Sequence, residues 1–273
     1  MFSSDLEECL NEIKPEFISI CSPTNTHLDL VKKLSKFRGI KYIFCEKPLG
    51  TNTKEAQEII SLCKESKIIL ATNYMRRWDK KYLWIKDKIE SKNLGNLISI
   101  NAYGTTAMYT SSSHLMDLIL FYGGSAEKVS GYIQEDFIRK VHGEEDPGAN
   151  AFIKFSNGVT CHLVAKSKTP NHYMFEIDLI FQEGRIVIKN DGKYLKFYTF
   201  KKTDFSGTGY LGLSEKKINI KDNERMLDAI TDIINCEFGK SLPKSSGKNA
   251  LDVHKLIRAI NKSSLKNGSF CKI

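Results

Sequence analysis

The first hundred residues alternate between short apolar runs and longer stretches in which apolar residues recur at every third or fourth position. The runs predict three strands, over residues 16–21, 40–45 and 68–71. The periodic stretches predict four helices, over residues 5–12, 27–37, 51–66 and 78–89, with Asn25 or Thr26 as N-cap of the second. Strands and helices that alternate through short links are typical of parallel β-α-β units.

From residue 97 onward the pattern changes to alternating strands separated by turn signals such as Asn157-Gly158, Glu183-Gly184 and Asp191-Gly192. We expect a mainly antiparallel open sheet of about five or six strands, a helix over 111–121 within it, and closing helices after it. The predicted fold class is therefore α/β, with a parallel-sheet domain over 1–95 and an α+β domain over 96–273 that includes closing helices in 222–273.

Composition and charge narrow the class of protein. The chain has 273 residues, 41% hydrophobic and 27% charged, which excludes a disordered or collagen-like protein. No apolar run reaches the roughly 18–20 residues of a membrane span, and the start lacks a secretory signal, so we expect a cytoplasmic protein. The net charge of +9 comes mostly from scattered lysines, which we interpret as solvated surface rather than a nucleic-acid site. Seven cysteines without a C-x-x-C pair predict reduced thiols and no metal site.

Polar residues follow each of the three parallel strands. In such a sheet, ligands bind where the chain leaves the carboxyl ends of the strands, so the chemistry is expected at one edge. We call these segments the strand exits: Ser22-Pro23-Thr24-Asn25, Glu46-Lys47-Pro48-Leu49 and Asn73-Tyr74-Met75-Arg76-Arg77.

Three features carry candidate chemistry, each with a structural alternative. Glu46 and Lys47 form either a surface ion pair or a site where Lys47 transfers a proton. His114 and Asp117 share one helix face, although a histidine at a helix start is more often structural, and His27 either caps its helix or faces the ligand edge. The G-x-G-x-x-G over 207–212 follows no strand and precedes no helix, so we interpret it as a loop.

Together these motifs resemble the Gfo/Idh/MocA (glucose–fructose oxidoreductase / inositol 2-dehydrogenase) family. The resemblance rests on Glu46-Lys47-Pro48, the earlier Ser22-to-His27 segment, Asn73-x-x-Arg76-Arg77 and His114-x-x-Asp117, in family order and spacing. It implies a Rossmann domain, then an α+β domain for substrate binding and homo-oligomer contacts through its open sheet. Family members move a hydride between a sugar or cyclitol and NAD or NADP.

The resemblance also implies a role for each matched residue. Lys47 and His114 would be catalytic, with Lys47 assisting proton transfer at the reacting hydroxyl. The cofactor would contact Ser22, Pro23, Thr24, Asn25, His27, Glu46, Lys47 and Asn73. The sugar or cyclitol would contact Lys47, Arg76, Thr110, His114 and Asp117.

Two departures from the family pattern change the expectation. Family members begin with a strand, a glycine-rich turn, a helix and a second strand, and none of these precedes the helix over 5–12, so we expect an N-terminally truncated Rossmann sheet with cofactor binding impaired. Thr110 stands where an acidic residue is common. Two hypotheses follow: a sugar or cyclitol dehydrogenase, or a non-catalytic carbohydrate-binding or subunit-assembly protein of the same fold.

Overall fold

The computed structural model describes residues 4–141, 144–166, 172–202 and 209–273. Its helices are α1 Leu6–Ile13, α2 His27–Leu34, α3 Thr53–Glu65, α4 Lys80–Glu90, α5 Ser111–Gly123, α6 Arg225–Ile234 and α7 Gly247–Ser264. Its strands are β1 Phe17–Ile20, β2 Tyr42–Cys45, β3 Ile69–Thr72, β4 Leu97–Gly104, β5 Ala126–Val141, β6 Glu144–Phe155, β7 Thr160–Ala165, β8 Phe175–Phe181, β9 Gly184–Lys189, β10 Tyr194–Lys202, β11 Gly209–Lys217 and β12 Cys271–Lys272. None of the helices in the described ranges is long and apolar enough to cross a membrane.

The chain forms two compact units, and their limits differ from the expected division at residue 95. The first unit comprises Met1–Trp78 and Glu224–His254, and the second comprises Asp79–Asn223 and Lys255–Ile273. Helix α4 thus belongs to the second unit, and α6 returns to the first. The reason for the return is packing, because Ala229 and Ile233 of α6 share a buried cluster with Phe44 and Trp78.

The first unit is built on the expected parallel sheet, with strand order β1-β2-β3. Ile20, Cys45 and Thr72 are register partners at the carboxyl ends of the three strands. All four residues of β3 are buried, as is Ile43–Cys45 in β2, which matches strands covered on both faces. This register fixes the three strand exits side by side.

The second unit contains a nine-stranded sheet of order β11-β10-β9-β8-β4-β7-β6-β5-β12, antiparallel except for the β4–β7 pair. The three expected hairpin turns are confirmed, with Gly158 and Gly192 at φ +88° and +86°. The sheet has more strands than expected. Residues 207–208 of the glycine motif lie outside the described residues, whereas 209–212 begin β11 instead of a loop, because they pair with β10.

The two faces of this sheet differ in polarity. Ile177, Leu179, Ile186 and Ile188 are buried on the inner face, and α5 packs against β4 and β7. The outer face carries three cross-strand ion pairs: Asp178–Arg185, Glu176–Lys189 and Lys196–Glu215. These pairs are partly exposed, so each contributes little to the free energy of unfolding.

Candidate functional site

The three strand exits of the first unit are joined by backbone hydrogen bonds. The amide of Glu46 donates to the carbonyl of Ile20 at 2.9 Å, and the amide of Asn73 donates to the carbonyl of Cys45 at 2.8 Å. The second and third exits therefore each begin in contact with the preceding strand. The expected edge, with polar side chains from all three strands, is present in the structure.

A side-chain hydrogen bond joins the second and third exits, between Glu46 and Asn73. Asn73 Nδ2 donates to Glu46 Oε1 at 2.7 Å, and Glu46 Oε2 lies 3.3 Å from the amide of Lys47. Asn73 is 6% exposed, and its Oδ1 is a buried atom that finds no hydrogen-bond partner among the described residues. Because the amide nitrogen is committed to the carboxylate, the oxygen remains as a fixed acceptor that a bound donor could satisfy.

The first exit is more exposed. Pro23 and Asn25 are exposed, and Thr24–Thr26 form a short 3-10 helix. Thr26 is the N-cap of α2 but makes no capping bond with its side chain. Its hydroxyl instead donates to the carbonyl of Pro23 at 2.7 Å and lies 2.6 Å from Ser22 Oγ. These hydrogen bonds hold the loop in shape, with Thr24 half-buried and the side chain of Asn25 exposed.

His27 was expected to line the cofactor, but its ring is completely buried. Nε2 lies 2.9 Å from the carbonyl of Ser22, while Nδ1 lies 3.4 Å from Cys45 Sγ and 3.3 Å from the carbonyl of Leu49. Burial raises the pKa of the Cys45 thiol, which keeps its proton and can donate to Nδ1. The tautomer with a proton on Nε2 donates to the carbonyl of Ser22 and accepts from the Cys45 thiol, so His27 links the first two exits.

Replacing His27 with alanine is expected to lower the free energy of unfolding by about 2–4 kcal/mol, because it leaves a cavity and removes the donor to a carbonyl. Urea unfolding monitored by circular dichroism measures this loss. The exposed His162, changed to alanine, is the control and should cost less than about 0.5 kcal/mol. An His27→Ala protein of wild-type stability with weakened NADH binding would instead support the cofactor-lining role.

The remaining predicted residues of the first unit lie at the second and third exits. Lys47 is half-buried, directly after β2. Arg76 lies in a short 3-10 helix, Met75–Trp78, and is 5% exposed. Its neighbour Arg77 donates to the carbonyl of Lys244 at 3.1 Å, which ties the third exit to the segment before α7.

Thr110, His114 and Asp117 belong to the second unit and lie on α5 or at its N-cap. His114 and Asp117 are 9% and 1% exposed, and their spacing places them on one helix face, as expected. Thr110 is the N-cap and makes no capping bond with its side chain. These three residues thus lie along the first two turns of α5.

Sequence reasoning missed two residues beside the predicted ones. Met226 Sδ lies 3.9 Å from Asn73 Nδ2, and the Asp146 carboxylate accepts hydrogen bonds from the amides of Tyr109 and Thr110. Both come from segments far along the chain, so no local motif points to them. Within the described ranges, no three His, Cys, Asp or Glu side chains are grouped so that they could hold a metal ion.

Comparison with known proteins gives matches in sequence and in fold. Residues 2–74 match the model of an oxidoreductase family with an NAD-binding Rossmann fold. Myo-inositol 2-dehydrogenase of Thermotoga maritima is 33% identical over 91 residues, which are 33% of this chain and 27% of that protein. The scyllo-inositol 2-dehydrogenase (NAD(+)) of Bacillus subtilis is 26% identical over 204 residues, 68% of this chain and 59% of that protein.

A solved structure gives the same result for the fold. The WlbA dehydrogenase from Bordetella pertussis, in complex with NADH and UDP-GlcNAcA, superimposes with a TM-score of 0.78 at 17% identity, over 99% of this chain and 83% of that chain. The chain spans less than two thirds of the length of the curated relatives it matches. The parallel sheet, the strand exits and the family match over residues 2–74 agree, so the resemblance of this chain to the Gfo/Idh/MocA oxidoreductases is confirmed.

Proposed function

We propose that the chain acts in an NAD(P)-dependent dehydrogenase whose substrate is a sugar, a sugar derivative or a cyclitol. The family and the named relatives support the class: two are inositol dehydrogenases, and one solved neighbour holds NADH with a nucleotide sugar. Bound NAD(P) would supply the nicotinamide ring that accepts or donates the hydride. The residues of this chain would bind that cofactor, orient the substrate and handle the proton.

The observation that carries the proposal is the orientation of Asn73. An amide oxygen that is buried without a donor costs about 1–3 kcal/mol, and a ligand that supplies an N–H group recovers that cost. Because Glu46 fixes the amide, Asn73 Oδ1 suits a carboxamide NH2, the polar group carried by nicotinamide. The half-buried Thr24 and the exposed Asn25, with Ser22, Pro23, Glu46 and Lys47, would then contact the ring and its ribose.

The proton would be handled by two residues in the proposed site. Lys47 would take the hydroxyl proton as the substrate carbon is oxidised, or return it in the reverse direction. His114 would hydrogen-bond the same oxygen. A common site for Lys47 and His114 is part of the proposal, as are substrate contacts from Arg76, Thr110 and Asp117.

A fluorescence titration of NADH into the full 273-residue chain tests the proposal. We expect a dissociation constant in the micromolar range, since the strand exits would contact only the nicotinamide end. Asn73→Leu should weaken binding about tenfold, which corresponds to one lost hydrogen bond to a buried acceptor. Asn235→Leu, at the exposed C-cap of α6, is the matched control and should bind as the wild type does.

The titration also separates the proposal from its alternative. A folded chain that shows no NADH binding up to millimolar concentration would contradict a dehydrogenase role for this chain. A carbohydrate-binding or subunit-assembly protein of the same fold would then fit better. Equal binding by both asparagine variants would remove Asn73 from the cofactor site but leave the dehydrogenase class standing.

Homo-oligomer formation through the open sheet is a further part of the proposal. The ion pairs of the outer face, such as Asp178–Arg185, would make such an interface polar and sensitive to salt. Light scattering coupled to size-exclusion chromatography, at low and high salt, reports the oligomeric state. A monomer under both conditions would contradict this part.

A further inference from the structure

A buried carboxylate holds the turn that leads into α5. Asp146 lies near the start of β6 and is 2% exposed. Its Oδ1 accepts from the amide of Tyr109 at 2.7 Å, and its Oδ2 accepts from the amide of Thr110 at 3.1 Å. Hydrogen bonds from neutral donors to a charged acceptor are stronger than neutral pairs, so two of them from consecutive residues define the local backbone closely.

The carboxylate of Asp146 accepts hydrogen bonds from backbone amides at the start of α5, and the side chain of the N-cap residue, Thr110, does not. The hydroxyl of Thr110 donates backwards, to the carbonyl of Ala107 at 3.1 Å, rather than capping the helix. The turn is also held from β6 by the carbonyl of Pro147, which accepts from the amide of Met108 at 3.0 Å. Strand β6 therefore sets the direction in which α5 begins.

Asp146 itself has a fixed position. Two residues on, Gly148 lies so close to β7 that an added Cβ would meet the carbonyl oxygen of Ala165 at 2.5 Å. Such an approach between backbones leaves little room for the strand to shift. The carboxylate is thus two residues from a point where β6 and β7 approach closely.

His114 is the fourth residue of α5, one turn after Thr110. In an α-helix, the side-chain directions of the first turn follow from the backbone of the N-cap, so a change at Thr110 rotates or shifts the ring at 114. Ser113 Oγ donates to the carbonyl of Thr110 at 2.7 Å and couples this turn to the N-cap. A displacement of the Asp146 carboxylate would therefore move the backbone of Thr110 and, with it, the imidazole of His114 one turn later.

We infer that Asp146 is a positioning residue for His114, acting through the amides of Tyr109 and Thr110. The inference rests on the proposed function for its consequence in catalysis, because His114 handles the substrate oxygen there. Asp146 does not itself touch substrate or cofactor in this assignment. A negative charge beside the start of α5 is also favourable to the helix dipole.

The main test compares Asp146→Asn with Asp178→Asn. Asparagine at 146 keeps one acceptor and turns an NH2 group toward the other backbone N–H, so one of the two bonds is lost. Asp178 is a carboxylate of the same unit that pairs with Arg185 on the outer face, which makes Asp178→Asn a matched loss of charge. Both proteins are labelled with ¹⁵N for amide exchange and for imidazole signals, with His114→Gln to assign the His114 ring.

In Asp146→Asn we expect the amides of Tyr109 and Thr110 to exchange about tenfold faster, and the His114 ring signal to shift or broaden. Asp178→Asn should leave both unchanged. An unchanged His114 signal in Asp146→Asn overturns the inference, even if the two amides exchange faster, since the carboxylate would then only fasten a turn. The ring signal is independent of NADH, so failure of the dehydrogenase proposal is seen separately, in the titration.

A second variant covers the case in which Asp146→Asn does not fold. Thr110→Pro removes one of the two N–H donors to Asp146 together with the hydroxyl that donates to the carbonyl of Ala107, and the φ of Thr110, −77°, suits proline. We expect a smaller change of the same His114 signal. With substrate turnover, Asp146→Asn should lower kcat about 10- to 100-fold and raise KM with NADH affinity unchanged, whereas partial unfolding would lower the NADH-binding stoichiometry and leave KM as it was.

Discussion

Replacing Lys47 with methionine is expected to lower kcat about 100- to 10,000-fold, while the dissociation constant of NADH changes by less than about threefold. Methionine keeps much of the length and apolar stem of lysine but cannot hold a proton. In the proposed reaction, the hydroxyl proton would then have no nearby acceptor when the carbon is oxidised. Steady-state kinetics with a cyclitol or sugar substrate, together with NADH titration, measures both quantities.

Lys54 provides the matched control for this substitution. It is exposed in the first turn of α3, and Lys54→Met removes the same charge a few residues away from Lys47. We expect wild-type turnover and affinity for that protein. Equal loss of kcat and NADH affinity in Lys47→Met would mean that Lys47 supports the shape of the second exit, and the proton-transfer role would be wrong.

The second large effect concerns stability in mild acid. His254 lies in α7 and is 2% exposed, and burial lowers its pKa to about 4 although the charge of Glu55 acts in the opposite direction. In the unfolded chain the histidine has an ordinary pKa of about 6.5. Between pH 4 and about pH 6.5 the imidazole is therefore protonated in the unfolded chain and neutral in the folded chain. The free energy of unfolding is therefore constant with respect to this group above about pH 6.5, and it falls by about 3 kcal/mol as the pH drops toward 4.

Urea unfolding of the wild type and of His254→Leu, each from neutral pH to about pH 4, isolates this contribution. Other groups titrate in the same range, but they titrate in both proteins, so the difference between the two curves belongs to His254. His162→Leu, with an exposed imidazole, should follow the wild-type curve. Parallel curves for the wild type and His254→Leu would contradict the prediction.

Local sequence patterns were sufficient to predict the parallel sheet and the strand exits. The runs that became β1, β2 and β3 are short, apolar and followed by polar residues, so that both the strands and the edge for ligands could be predicted. The carboxyl-end position of Lys47 and Asn73 followed from the same pattern. The contact between Glu46 and Asn73 did not, because it depends on the register of neighbouring strands.

Non-local packing accounts for what the sequence did not predict. Strand β11 begins with two glycines in four residues, a composition that favours a loop. Only its pairing with β10 makes this segment a strand. The ring of His27 was expected at the ligand edge, and its burial depends on Cys45 and Leu49 from another strand exit. The carboxylate of Asp146 reaches the start of α5 from 36 residues further along the chain.

The return of Glu224–His254 to the first unit bears on how such genes can recombine. The chain crosses between units after Trp78, after Asn223 and after His254, and the last crossing falls within α7. Exchange of one unit between two related genes would need three breakpoints, one of them in the middle of a helix. Shuffling is thus a poor route to new pairings of the two units, and their descent is expected to be joint, with phylogenetic trees of the two halves agreeing in branching order.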